Sequence, residues 1–313
     1  MISLRRSALA AVSLAALLAV PMTAQAHRQW LLPSATVLSG NDPWITVDAA
    51  VSNDLFYFDH VPMRLDGVAV IAPDGSKGEI KNGATGKYRS TFDVQLDKPG
   101  TYKIANVSDG LMASYKQNGE AKRWRGQAAD LATAIPKDAT DVKLTQNQRR
   151  LEIFATRGSP TKEVLKITGQ GLELEPVTHP NDLVSGEAAT FKLLLDGKPA
   201  SGVEVEIVPG GNRYRDGTGE IKATTDAQGA FTVTWPNAGM YWMEASVRGG
   251  KATIPNAERN ASYVTTLEVL PDYRCATPLL PPPLRGGGNP HQILPLLGRW
   301  SAQRVGGGLL KRS

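Results

Sequence analysis

Apolar and polar positions alternate in short runs along most of this chain, and glycine, proline and aspartate separate the runs. Residues 44–49 (WITVDA) and 63–65 (MRL) read as extended segments. Residues 68–71 (VAVI) lead into the turn Pro73-Asp74-Gly75, and 91–96 (TFDVQL) stop at Lys98-Pro99-Gly100. Residues 101–105 and 151–155 resume the pattern. Period-two alternation bounded by turn residues predicts strands rather than helices. The one short helix is expected within residues 126–134, ended before Pro136.

A second unit begins near Glu173. Residues 190–195 form a strand pattern, followed by Asp196-Gly197-Lys198-Pro199. Residues 202–207 alternate small or apolar with charged side chains. Asp226-Ala227-Gln228-Gly229 reads as a hairpin turn, before strands at 231–235, 239–242 and 265–270. The expected fold is all-β: two β-sandwich, immunoglobulin-like domains, at 27–172 and 173–271, with a short helix in the first. From Asp272 the pattern stops. Pro281-Pro282-Pro283, Gly286-Gly287-Gly288 and Gly306-Gly307-Gly308 replace it, arginine is plentiful and acids vanish. Residues 272–313 are expected to be a disordered tail, and the abruptness of the change raises a frameshifted end as its origin.

The first 26 residues read as a secretory leader. Arg5 and Arg6 precede an apolar run over 8–20, and Ala24-Gln25-Ala26 is a small-x-small cleavage site. Ala8 stands where a twin-arginine signal usually has an aromatic, so ordinary secretion to the periplasm is expected. No later apolar stretch reaches membrane-spanning length. The formal charge is +5. The leader holds two of these charges and the segment from Asp272 onward five, which leaves residues 27–271 at −2. A mildly acidic body argues against nucleic acid as a partner.

Candidate chemistry centres on His27, which cleavage after Ala26 would place first in the mature chain. Its α-amino group and imidazole could then bind one metal ion together. Amines titrate near about 7.7–8.0 and imidazoles near about 6.5, so both shed protons around neutral pH. The only cysteine, Cys275, lies in the tail. That excludes internal disulfides and thiolate metal sites, and leaves nitrogen and oxygen ligands suited to nickel, cobalt, copper or zinc. His60 closes the segment Asn53-Asp54-Leu55-Phe56-Tyr57-Phe58-Asp59-His60, and is a candidate second ligand, with Asp59 or Asp54 as ligand or support. His179, in the turn Thr178-His179-Pro180-Asn181-Asp182 between the two units, is a third candidate, although a capping role explains it as well. His291 lies in the tail and carries no functional weight. Nucleophile-elbow and phosphate-loop motifs are absent. The basic stretch Lys122-Arg123-Trp124-Arg125 reads as a solvated loop.

The start AHRQWLLPSATVLSG and the later GLELEPVTHPNDLVSGEAATFKLLLDGKPASGVEV together resemble the NikM-like family of exported proteins, many known only as a domain of unknown function. The resemblance spans 27–271, and its most specific element is Ala26, His27, Trp30, Leu31 and Pro33. The second unit is also similar to carboxypeptidase-regulatory-like modules. The family resemblance implies export and an association with nickel or cobalt uptake, with the mature amino-terminal histidine implicated in metal capture. That implication falls on His27 alone. The expectation is a periplasmic metal-binding protein, not an enzyme, which delivers nickel or cobalt to an uptake transporter or outer-membrane receptor. Two alternatives stand beside it. One is a structural or adhesive sandwich that binds protein or polysaccharide. The other is a copper oxidase with an amino-terminal histidine brace.

The leader analysis has a direct test. Intact-mass measurement of the protein recovered from periplasm should give a chain starting at His27, and a start at any other residue would remove the amine from the proposed ligand set.

Overall fold

The computed structural model describes residues 27–272; the segment expected to be a leader, Cys275, His291 and the rest of the tail lie outside them. Nineteen strands are described. The first half contains β1 (Arg28–Pro33), β2 (Val37–Leu38), β3 (Trp44–Ser52), β4 (Val61–Pro62), β5 (Val68–Ile71), β6 (Lys77–Gly78), β7 (Lys81–Thr85) and β8 (Ser90–Gln95). Two 18-residue strands follow, β9 (Gly100–Gln117) and β11 (Thr140–Arg157), with β10 (Glu120–Gly126) between them. The second half contains β12 (Leu172–Pro176), β13 (Ala188–Leu195), β14 (Lys198–Pro199), β15 (Glu204–Pro209), β16 (Ile221–Thr224), β17 (Ala230–Thr234), β18 (Gly239–Arg248) and β19 (Ala257–Val269).

The fold is all-β, in sandwich layers. The expected helix is a 3-10 turn, Ala128–Asp130, running into one α-helical turn, α1 (Leu131–Ala134). Pro136 ends it as the sequence required. The stretch Lys122–Arg125 is corrected from a loop to the body of β10, which pairs antiparallel with β9 from Glu120↔Gln117 to Gly126↔Leu111. Its charged side chains hid a strand that is exposed along most of its length.

Three sheets build the molecule. A five-stranded sheet runs β1-β3-β8-β7, with β4 beside β3. A four-stranded sheet runs β12-β13-β14, with β17 beside β13. A ten-stranded sheet backs both, in the order β16-β15-β18-β19-β11-β9-β5-β6, with β10 and β2 on its margins. Within it, β11 pairs antiparallel with β9 and parallel with β19, from Leu144↔Ala257 to Glu152↔Thr265.

Two apolar clusters result. The first joins Trp30, Ile45, Val47 and Phe92 of the five-stranded sheet to Tyr102, Ile104, Leu151 and Ile153 of the large one. The second joins Leu174, Phe191, Leu193 and Phe231 of the four-stranded sheet to Val205, Ile207, Met243 and Tyr263. Val208, Trp242 and Val264 come from second-half strands, yet they pack in the first cluster. The halves therefore share both a sheet and a core.

Trp30 is fully buried, its ring is flanked by Phe56 and Phe58, and its indole N–H donates to Ser52 Oγ at 2.8 Å. Trp30→Ala should cost about 3–5 kcal/mol in urea unfolding. Trp44→Ala, at a 40 % exposed tryptophan, should stay within about 1 kcal/mol of wild type. Equal losses would contradict this core assignment.

Candidate functional site

His27 and His60 meet at one end of the first sandwich. Their rings stack with centroids 3.9 Å apart and planes 6° from parallel. Two different parts of the fold bring them there. His27 directly precedes β1, whose first residue Arg28 pairs with Ser52, the last residue of β3. His60 ends the loop that starts after Ser52 and precedes β4.

The loop is held from several sides. Ser52 Oγ accepts from the Trp30 indole and donates to the Asp54 carbonyl at 2.6 Å. The Asp59 carboxylate accepts the backbone N–H of Asn53 at 2.9 Å and of Asp54 at 3.4 Å. Asp59 thus closes the loop on itself and fixes the residue before His60. Leu55 is buried, and Phe56 takes φ +56°. A bulky residue in that left-handed region costs on the order of 1–3 kcal/mol, and persists only where packing over-determines it. Here Trp30 meets the Phe56 ring edge-on at 5.4 Å between centroids. Gly210 lies against its other side, where a Cβ would come within 3.3 Å of the ring and 3.0 Å of the Met240 carbonyl. The Arg89 guanidinium sits 4.3 Å over Phe58, and Arg213 sits 4.2 Å over Tyr57.

The start of β1 is fixed to the second half. The Trp242 indole donates to the Gln29 carbonyl at 3.0 Å. The Arg28 guanidinium donates to Glu206 at 2.6 Å and lies 5.1 Å over the Trp242 ring. These contacts hold the backbone next to His27, while the His27 side chain is exposed.

Both imidazoles of the stacked pair could share one metal ion only after an adjustment. An imidazole nitrogen binds along its lone pair, in the ring plane, at about 2.0–2.1 Å for zinc-like ions. One ion cannot lie in two nearly parallel planes at once, so the rings must splay before both can bind it. The exposed His27 side chain has room for that rotation. The described residues contain no cluster of three or more His, Cys, Asp and Glu side chains. No third side chain of those types is therefore already gathered on the pair, and further donors must complete the set.

His179 stands apart. Its Nδ1 accepts the Asn181 backbone N–H at 3.1 Å, so the proton resides on Nε2. Nε2 lies 3.1 Å from the Thr161 carbonyl and 3.2 Å from Thr101 Oγ1. Asn181 in turn bonds Thr156 Oγ1 and the Phe154 carbonyl. This knot pins the turn after β12 to the first residues of β9 and the last of β11. Thr101 follows the bend whose Leu96 donates to Pro43, just before Trp44. His27 lies beyond the Ser52 end of β3. The length of β3, roughly 25 Å, therefore separates His179 from the histidine pair. The proline and Asx residues around His179 signalled this turn, whereas nothing in the residue spacing signalled the stack of His27 on His60.

A family model described as "Domain of unknown function (DUF4198)" matches residues 24–249, and the chain belongs to that family, the NikM-like periplasmic proteins. No curated protein matches. Among solved structures, the D0-D1 domain of intimin is 14 % identical, covering 77 % of this chain and 97 % of that one, with a TM-score of 0.19. The D00-D0 domain of intimin is 12 % identical, covering 78 % and 100 %, with a TM-score of 0.18. An Escherichia coli alpha-2-macroglobulin activated by porcine elastase is 11 % identical, covering 79 % of this chain but 20 % of that one, with a TM-score of 0.19. These scores are too low to say anything about this chain. No described helix is long and apolar enough to cross a membrane.

Burial holds the His179 imidazole below its ordinary value of 6.5, partly offset by the Thr161 carbonyl and by Asp182. The folded protein therefore takes up this proton at lower pH than the unfolded chain does. The stabilisation is complete above about pH 6.5 and is lost as pH falls through the lower folded value. His179→Gln should flatten the dependence of unfolding free energy on pH between about 7.5 and 5. An unchanged slope in urea titrations would assign it to other groups.

Proposed function

We propose that this is a periplasmic binding protein for a divalent transition metal, nickel or cobalt, which it passes to an uptake transporter or outer-membrane receptor. The 3.9 Å stack of His27 on His60 carries the proposal. Membership of the family supports it, because the matched region includes His27. Cleavage after Ala26 would add the His27 amine to the same ring set, giving three nitrogens. Each must be deprotonated to bind, so metal uptake releases protons. Asp59 closes the loop under His60 by accepting backbone N–H groups at both oxygens, and its remaining lone pairs leave it a candidate further ligand. Remaining coordination positions would be filled by water or by a group of the recipient.

Calorimetric titration of processed protein with nickel, cobalt, zinc and copper tests this. The same three nitrogens suit a copper brace, so copper belongs in the panel. His27→Ala and His60→Ala should each weaken binding by at least about tenfold, about 1.4 kcal/mol. One alanine inserted before His27 keeps the ring but removes its amine, and should weaken binding comparably. His179→Gln should leave it unchanged. Wild-type affinity in both His27→Ala and His60→Ala would overturn the site.

A further inference from the structure

Beyond Leu151, which packs in the first core, the same face of the large sheet runs out into solvent. Strand register fixes what stands on it. Arg123 of β10 lies opposite Ser114 of β9, which lies opposite Lys143 of β11. Arg125 lies opposite Met112, which lies opposite Thr145. Further along β11, Asn147 is level with Asn260 of β19, whose partner on β18 is Arg248. Arg149 stands two residues before Leu151. Alternate residues of a strand share a face, so Arg123, Arg125, Lys143, Arg149 and Arg248 all project from the side that carries Leu151. All of them are exposed.

These charges are not balanced from within the fold. Among the described residues, none of these side chains has a hydrogen-bond or ion-pair partner. Lys116, on the same face, differs, because Asp141 pairs with it at 2.8 Å. The other acids on this side are Glu258, level with Thr145, and Glu244, opposite Val264. Glu258 is exposed and offsets one charge. Glu244 is half-buried, and divides its attraction between Arg28 and Arg149. A positive face thus stands on a body that is mildly acidic as a whole. Like charges left unpaired on one surface raise a field that attracts anions.

The layout selects the kind of anion. Arg123 and Lys143 are two strand spacings apart, about 10 Å, and the strand from Lys143 to Arg149 spans about 20 Å. Cations so spread cannot converge on one small ligand. A tightly held protein partner needs aromatic or aliphatic anchors near the centre of its footprint. Here the positions between the cations hold Ser108, Met112, Ser114, Thr145 and Asn147, none of them aromatic. What remains is attraction to an extended anionic plane, which asks for charge density rather than shape. We infer that this face adsorbs the protein on a membrane surface rich in anionic phospholipid, with lipid phosphates on Arg123, Arg125, Lys143, Arg149 and Arg248. The face borders the start of β1, since Glu244 lies between Arg149 and Arg28, but the inference does not depend on a metal at His27.

Co-sedimentation of the processed chain, tail included, with lipid vesicles tests this. Vesicles of about 30 % phosphatidylglycerol in phosphatidylcholine should bind it at least about tenfold more tightly than pure phosphatidylcholine, and binding should fall steeply between about 20 and 300 mM salt. Arg123→Gln/Arg125→Gln/Lys143→Gln should weaken binding by at least about tenfold, since each cation near the surface contributes about fivefold. Arg149→Gln/Arg248→Gln, at the other end of the face, should weaken it by at least about fivefold, and decides the matter if the triple variant fails to fold. Lys77→Gln/Lys162→Gln/Lys198→Gln removes charge from exposed positions elsewhere and should bind as wild type does. Undiminished binding in the face variants would assign adsorption to the basic tail, and an equal loss in the Lys77 set would assign it to net charge. Either result overturns the inference. So does a lack of preference for phosphatidylglycerol, or tighter binding to soluble polyglutamate than to vesicles, which would mark the face as a site for an acidic protein.

Discussion

The parallel ladder between β11 and β19 is the contact on which the rest of the architecture depends. From Leu144↔Ala257 to Glu152↔Thr265 it joins a strand of the first sandwich to one of the second. Without it, each half would present an open edge of unpaired backbone groups, which soluble proteins avoid. With it, one face of the joint sheet serves the first core through Leu151, Ile153 and Val264, while Tyr263 on the opposite face of β19 serves the second. The pleat makes this possible, because successive side chains along β19 point to opposite sides. The cost is a belt of polar groups where the two cores hand over, including Arg150, Glu152 and Thr265.

The same joint sheet explains why β1 is well placed to present a histidine. Its first residues lie over β15 and β18, where Glu206 and Glu244 stand directly opposite each other. Burial pushes the Glu244 carboxyl up, and the neighbouring Glu206 pushes it further; Arg28 and Arg149 oppose the shift. Arg28 therefore relieves a like-charge pair as it docks. Its ion pair with Glu206 is only about a quarter exposed on either side, so solvent screens it less than a surface pair. The Trp242 indole bond to Gln29 fixes the backbone a second time, next to the site.

Much of the fold was legible because turn chemistry is local. Asp74-Gly75, Asp196-Gly197 and Asp226–Gly229 all punctuate strands where their dihedral needs predicted them, and Gly75, Gly197 and Gly229 all have positive φ. The length of β9 and β11 was not legible. Beyond Ala105 the strand continues through Val107, Ser108, Asp109 and Gly110, whose composition imitates a loop. What sustains it there is pairing with β11, from Val107↔Arg150 to Gly110↔Asn147, and that is non-local. The site divides in the same way. The Asn53–His60 segment stood out by composition, and His27 by its place after the leader. Their stacking depends on Arg28 pairing with Ser52, a strand register that no spacing between residues 27 and 60 reveals.

The stacked arrangement also bears on what a binding protein needs, on the reading proposed for it. A closed four-ligand site holds metal firmly and releases it slowly, as structural zinc sites do. Two imidazoles that must first splay, with the His27 side chain exposed, form a site that is incomplete by construction. Rearrangement energy is charged against affinity at binding and returned at release. The rigid parts of the fold (Trp30, Ser52, Asp59 and Trp242) hold the backbone on both sides of the pair, and leave the freedom in the His27 side chain. A recipient that supplies the missing ligands would then compete for the ion at positions this protein never occupies. Transfer could proceed one ligand at a time, without a free ion between the two proteins.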